Sequence, residues 1–258
     1  MTATITPPTT VPNTTGASRE VARRALRRYF RTPGVLVIGI VQSALFLFCF
    51  RYVFGGAIHT DAASYVAYLV PGYAATIVLF NGSGIAVAVT EDRAEGFTDR
   101  LLSLPIPRRA IVIGRAVADA TINAWAIATT LAFGFLFGFR LVGGITPGLE
   151  ALGLCLLYGV AFTFVFMVIG LIAPNGQAAQ GMAMIAFILA FFSSTYVPVD
   201  TMPAWLQPFA AHQPVTPMVE AVRSTLVGSS HDVGLAIAWS ALLIAVFLPI
   251  AVVRYRHA

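Results

Sequence analysis

Six runs of about twenty or more mostly apolar residues dominate the chain, at positions 34–54, 65–89, 110–139, 149–173, 178–197 and 233–253. About 20 helical residues, each rising 1.5 Å, cross the ~30 Å hydrocarbon core of a bilayer. No water reaches that core to bond the backbone, so a spanning segment must be a helix or a strand of a closed barrel. Barrel strands would read as segments of about ten residues alternating apolar and polar. These runs are apolar throughout, so the sequence predicts an all-α integral membrane protein with six transmembrane helices. Composition agrees, with 58% hydrophobic and 10% charged residues, against about 25% charged in soluble domains.

Every basic residue among the sixteen is arginine. Without a lysine there is no Walker A phosphate loop and no Schiff-base chemistry to retinal or pyridoxal phosphate. If ATP drives this chain, another polypeptide binds it. Threading the six spans with the N-terminus on one side leaves only Arg51, Arg140 and Arg223 on the opposite side and collects the other thirteen arginines with the N-terminus. The positive-inside rule then predicts that both termini are cytoplasmic. Cys49 and Cys155 lie inside apolar runs and read as small buried hydrophobes. His59, His212, His231 and His257 are scattered without metal-ligand spacing, so no metal site is expected.

Residues 1–17 form a Thr/Pro-rich polar tail, expected to be disordered. They are not a cleavable signal peptide, because the apolar run beyond them is too long for an h-region. Residues 18–31 read SREVARRALRRYFR, with Val21, Ala22, Ala25, Leu26, Tyr29 and Phe30 at helical spacing and Arg23, Arg24, Arg27 and Arg28 on the other face. With Ser18 as N-cap, this predicts an amphipathic helix lying in the membrane surface. It serves either as a topology signal that attracts anionic lipid or as a lever touching a cytoplasmic partner.

An ion-coupled carrier needs ionisable groups near the bilayer midplane, where an unpaired charge costs about 2.5–3.5 kcal/mol. The span centres are nearly empty of them. Glu91 and Glu150 sit at span edges, while Arg115 and Asp119 are spaced i, i+4 in the early turns of the third span and are expected to pair near the cytoplasmic boundary. Asp119 with Asn123 on the same face keeps an ion-coupled carrier as the alternative reading. A membrane-embedded enzyme acting on lipid would need a His/Asp or paired-carboxylate constellation that the spans lack.

The connection at 91–109, between the second and third spans, is the most charged stretch of the chain and reads EDRAEGFTDRLLSLPIPRR. Phe97, Leu101 and Leu104 share a helical face, and Pro105 and Pro107 stop the helix. A short amphipathic helix of mixed charge suits docking into a groove on another protein, or serves as a solvated connector. The run from Glu91 to Phe97, followed by Leu101-Leu102-Ser103-Leu104-Pro105-Ile106, resembles the "E-x-R-x-x-G … L-x-x-x-P" stretch of type-2 ABC exporter permeases. A second block runs from Val197-Pro198-Val199-Asp200-Thr201-Met202-Pro203-Ala204-Trp205-Leu206-Gln207-Pro208-Phe209 through His212-Gln213-Pro214-Val215 to Ala221-Val222-Arg223. It resembles the external segment of the daunorubicin-resistance-type branch.

The resemblance implies a half-transporter in which residues 32–258 form the six-span domain. Two such subunits, identical or related, would sit on two copies of a separate ATP-binding subunit, and no nucleic acid is expected as a partner. This chain would carry no cofactor and perform no chemistry, with ATP and Mg bound in the partner. Glu91, Arg93, Glu95, Phe97, Arg100 and Leu101 would couple the chain to that partner, with the 18–31 helix alongside. The chain would be a multi-pass protein of a bacterial cytoplasmic membrane. It would move a lipid or hydrophobic, drug-like molecule outward, as in multidrug efflux or lipid export.

The 35 residues from 198 to 232 carry five prolines and cannot form one long helix. Short helices returning into the outer leaflet are expected there, with Met202, Trp205 and Phe209 at the interface. The reading implied by family is an external gate including Pro198, Met202, Pro203, Trp205 and Pro214; the alternative is simple anchoring. In the second span, Gly72, Asn81, Gly82, Ser83 and Gly84 mark close packing or flexibility, and Pro71 is expected to kink the helix. Gln42, Asn81, Ser83, Thr121 and Asn123 are the polar candidates for a pathway wall.

Overall fold

A computed structural model describes residues 14–31, 33–55, 65–97, 103, 108–142, 144–228 and 232–255. These residues contain helices and connecting turns and no strand. In chain order the helices are α1 (Thr14–Arg31), α2 (Pro33–Cys49) continuing as a π-helical turn (Phe50–Phe54), α3 (Tyr65–Ala94) and α4 (Arg108–Leu136). There follow α5 (Ile145–Ile172), α6 (Gly176–Ala183), α7 (Ile185–Phe191), α8 (Gln207–His212), α9 (Val215–Val227) and α10 (Val233–Arg254).

Five helical segments are long and apolar enough to cross a membrane: Val37–Phe54, Tyr65–Ala94, Arg109–Leu136, Ile145–Ile172 and Val233–Arg254. The run at 178–197, expected as one continuous span, is instead two short helices joined at Met184 and ending at Phe191. Gly181 stands one turn before the break and is the poor helix former of the stretch, which weakens the helical run there. The pair nevertheless packs along the C-terminal part of α3. Gly176 lies beside Glu91 near the end of α3, and Phe187 stacks on Phe80 at 4.3 Å.

α3 and α5 form the buried centre, while α2 and α10 stand at the rim and present Val37, Ile38, Leu45, Leu235 and Leu242 outward. Lipid tails are as apolar as leucine, so the central helices gain their cohesion from close approach rather than from hydrophobicity alone. Gly82 makes this visible: a Cβ there would overlap the ring of Phe166 on α5. Gly84, two residues on, faces open space.

α1 packs along the first turns of α4, where Gly114 admits the Ser18 carbonyl and Val21. The helix begins at Thr14, a turn before Ser18, so Ser18 is an internal residue and not the N-cap, and residues 14–17 are helical rather than part of a disordered tail. Ala22 is buried, and Arg19, Arg23, Arg24 and Arg27 are exposed, as the amphipathic pattern predicts. The rest of the tail and the side chain of Arg28 lie outside the described residues. The C-terminal end of α10 returns to the same end of the bundle as α1, since Tyr255 faces Arg115.

Candidate functional site

At the α1 end, the last turns of α3 meet four other elements. Arg24 of α1 places its guanidinium over the Phe97 ring, 4.1 Å from the centroid. Gly96 has φ of +67°, the left-handed conformation that ends the helical run and turns Phe97 toward α1. Arg93 points inward: its Nη1 donates to the Leu171 carbonyl at 2.7 Å and to Ala173 at 3.5 Å, at the end of α5. These are carbonyls the helix itself leaves unpaired, and the charge sits at the negative end of the α5 dipole. Glu91 and Glu95 are exposed. Arg100 and Leu101 lie outside the described residues.

Arg115 does not pair with Asp119 as its spacing suggested. Its Nη1 donates to Asp92 Oδ2 at 2.7 Å, tying α4 to α3. Asp92 stands between the two residues singled out at 91 and 93, and only the packing of α3 on α4 reveals it as the partner. Tyr255, buried at the end of α10, faces the same guanidinium; burial raises its pKa, and Arg115 acts in the opposite sense. Asp119 is buried one turn deeper, and its Oδ2 has no hydrogen-bond partner.

The polar candidates of the interior divide. Asn81 and Asn123 meet, with Asn81 Nδ2 donating to Asn123 Oδ1 at 3.0 Å across the α3–α4 contact. Ser83 turns its hydroxyl to the Phe80 carbonyl of its own helix at 3.0 Å, and Thr121 likewise bonds Val117. Gln42, on α2, is half-buried and not joined to the Asn81–Asn123 pair by any hydrogen bond described. Among the described residues no cluster of His, Cys, Asp or Glu is suited to hold a metal ion.

The segment after 198 is folded as short pieces: a 3-10 turn (Val199–Thr201), α8 and α9. Trp205 is 79% exposed and Phe209 49%, which suits residues at a membrane interface. Pro203 is exposed, and Pro198, Met202 and Pro214 are half-buried. The tightest polar cluster at this end was not anticipated. Arg223 on α9, 5% exposed, donates Nη1 to Glu220 at 2.5 Å, Nη2 to the carbonyls of Ser194 (2.9 Å) and Tyr68 (3.3 Å), and stacks 3.7 Å over the Tyr68 ring. Tyr68 in turn donates its hydroxyl to Ser194 O at 2.7 Å, and Tyr65 donates to Tyr196 O at 3.2 Å. Gln213 donates to the Leu189 and Phe192 carbonyls at the end of α7. The sequence hints at it in a Glu220–Arg223 pair three residues apart on a helix whose other residues are uncharged.

An amphipathic helix, an end-of-helix charged junction and a proline-rich folded crown at the opposite end thus form one chain. The family profile described as ABC-2 type transporter matches residues 18–227, which takes in all three. The chain belongs to the ABC-2 type transporter family. It is 30% identical over 237 residues, 91% of this chain and 84% of the relative, to the daunorubicin resistance ABC transporter permease protein DrrB1 of Streptomyces coeruleorubidus. It is 26% identical over 264 residues, 97% of this chain and 95% of the relative, to the probable doxorubicin resistance ABC transporter permease protein DrrC of Mycobacterium tuberculosis. A putative transport permease, ycf38 of Cyanophora paradoxa, is 25% identical over 207 residues, 79% of this chain and 71% of the relative. As an ABC-2 permease the chain is a multi-pass membrane transport subunit and not an enzyme, and it works with an ATP-binding partner subunit.

Proposed function

We propose that this permease moves a lipid or hydrophobic, drug-like molecule outward across a bacterial cytoplasmic membrane, energised by ATP and Mg bound in the separate subunit. The functional unit is two permease subunits on two ATP-binding subunits. Each permease crosses six times, with the α6–α7 pair as the fifth crossing and both termini cytoplasmic. The observation that carries this reading is the junction at the end of α3. Through Phe97–Arg24, Arg93–Leu171 and Asp92–Arg115, that short segment grips α1, α5 and α4 together. A displacement imposed there by a partner is passed to three helices at once.

Glu91, Glu95 and Phe97, with Arg100 and Leu101, form the docking surface in this account, and Arg93 transmits rather than docks. The crown from Pro198 to Pro214 acts as the outer gate, and Asn81 and Asn123 are the polar point of the pathway wall, with Gln42 and Ser83 as its further polar candidates. The drug-resistance names of the bacterial relatives favour a greasy or amphipathic cargo.

The test uses inside-out vesicles carrying the permease with its ATP-binding subunit and daunorubicin as the probe. ATP-dependent accumulation is expected, and Glu95→Arg with Phe97→Ala should leave insertion and basal ATPase activity intact while transport falls at least tenfold. Full transport by that variant would remove the docking surface from 91–97. Accumulation driven by a proton gradient in ATP-free vesicles would favour the ion-coupled alternative through Asp119 and Asn123.

A further inference from the structure

Arg115 sits on α4 with a carboxylate on either side of it. Toward the α1 end is Asp92, bonded at 2.7 Å, with side chains only 17% (Arg115) and 15% (Asp92) exposed. One turn deeper on the same helix is Asp119, 5% exposed, whose Oδ2 is buried without a partner. A helix tilts each Cα–Cβ bond toward its N-terminus, so Asp119 leans back toward Arg115. Residues four apart on a helix are neighbours, and an arginine side chain spans that separation. A buried carboxylate oxygen with no donor is costly where it stands, yet Arg115, the cation four residues away, is held by another helix. Asp92, by contrast, lies in the last turn of α3, directly in the segment that grips α1 and α5.

From this arrangement we propose that Arg115 is a two-position relay, bonded to Asp92 in the conformation seen here and transferring to Asp119 when the end of α3 is displaced. The inference rests on the reading of residues 91–97 as the docking surface. In the first position the guanidinium couples α3 to α4. In the second it satisfies the buried carboxylate within α4 and frees the end of α3 to move relative to it. Asp119 therefore positions Arg115 in the second state, and Asp92 positions it in the first. Tyr255 of α10, itself buried, faces the guanidinium in the first position.

The experiment measures molecules of daunorubicin transported per ATP hydrolysed by the complete transporter in lipid vesicles. Asp119→Asn keeps the shape of the side chain and leaves the Asp92–Arg115 pair untouched. The relay predicts an unchanged melting temperature and a fall of at least tenfold in the transport-to-ATP ratio, with Asp119→Glu recovering most of it. Asp92→Asn removes the first position and should raise ATP turnover at least threefold without added transport. A purely structural role would change the amount of intact transporter but not the ratio. A wild-type ratio in Asp119→Asn therefore overturns the relay, as does a wild-type ratio in Asp92→Asn. Glu95→Arg with Phe97→Ala does not touch Arg115, so a wild-type ratio in that variant removes the docking reading instead.

Discussion

Replacing Arg223 with alanine is expected to open the crown opposite α1. The guanidinium satisfies two buried carbonyls, Tyr68 O and Ser194 O, balances Glu220 and covers the Tyr68 ring. Each hydrogen bond lost from the charged guanidinium is worth about 1.5–3 kcal/mol, although Ser194 O keeps the Tyr68 hydroxyl, and breaking a buried ion pair by removing one partner costs about 3–5 kcal/mol. These contributions share one side chain and do not add, so the expected loss is about 3–5 kcal/mol. At about 2–4 °C per kcal/mol for a chain of this size, the melting midpoint in mild detergent should fall by roughly 6–20 °C. Arg223→Lys keeps the charge but not the fork of donors, and should lie between wild type and alanine. Removing both charges, as Glu220→Gln with Arg223→Met, should recover part of the loss, because the two charges of the pair are removed together. The assay is a thermal melt of the purified chain followed by fluorescence-detected gel filtration. An Arg223→Ala midpoint within about 2 °C of wild type would refute the argument that this cluster holds the crown onto α3.

Three further outcomes are expected. Gly82→Ala should destabilise the α3–α5 contact by about 1–3 kcal/mol while Gly84→Ala is close to neutral, and Phe166→Leu should rescue the former, all read by the same melt. A double-mutant cycle on Asn81→Ala and Asn123→Ala should give a coupling of about 0.6 kcal/mol, the average for interhelical polar contacts in a membrane. Arg24→Gln and Phe97→Leu should couple by about 0.5–1 kcal/mol, as for an exposed cation over a ring, and the coupling should be absent from the control pair Arg19→Gln and Phe97→Leu.

Five of the six spans, the amphipathic α1 and the broken crown were legible because each follows from local pattern: run length, helical spacing of Val21, Ala22, Ala25 and Leu26, and the density of prolines after 198. The junction at the end of α3 was legible as a segment but not as a set of contacts. Arg93 looked like a docking residue in sequence, and only the position of the α5 terminus shows that it caps Leu171 and Ala173. Spacing favoured Asp119 as the partner of Arg115 because residues four apart on one helix are neighbours by construction. Asp92 won because α3 and α4 bring it alongside from another helix, which no local pattern records. Arg223 was hidden for the same reason, since its partners at Tyr68 and Ser194 lie 155 and 29 residues away. The break at Met184 had a visible contributor in Gly181 of the preceding turn, yet the average apolarity of the run concealed it.

The central claim is that this permease is driven by ATP bound in another subunit acting through the end of α3. Its most direct measurement is mild-detergent purification of the tagged full chain from its native membranes, with an ATPase assay and mass spectrometry of the eluate, for wild type and for Glu95→Arg with Phe97→Ala. The account predicts a stoichiometric ATP-binding subunit and ATPase activity with the wild type, and loss of transport in vesicles made from the variant. A stable lone chain that moves daunorubicin in a proton gradient without ATP would contradict it.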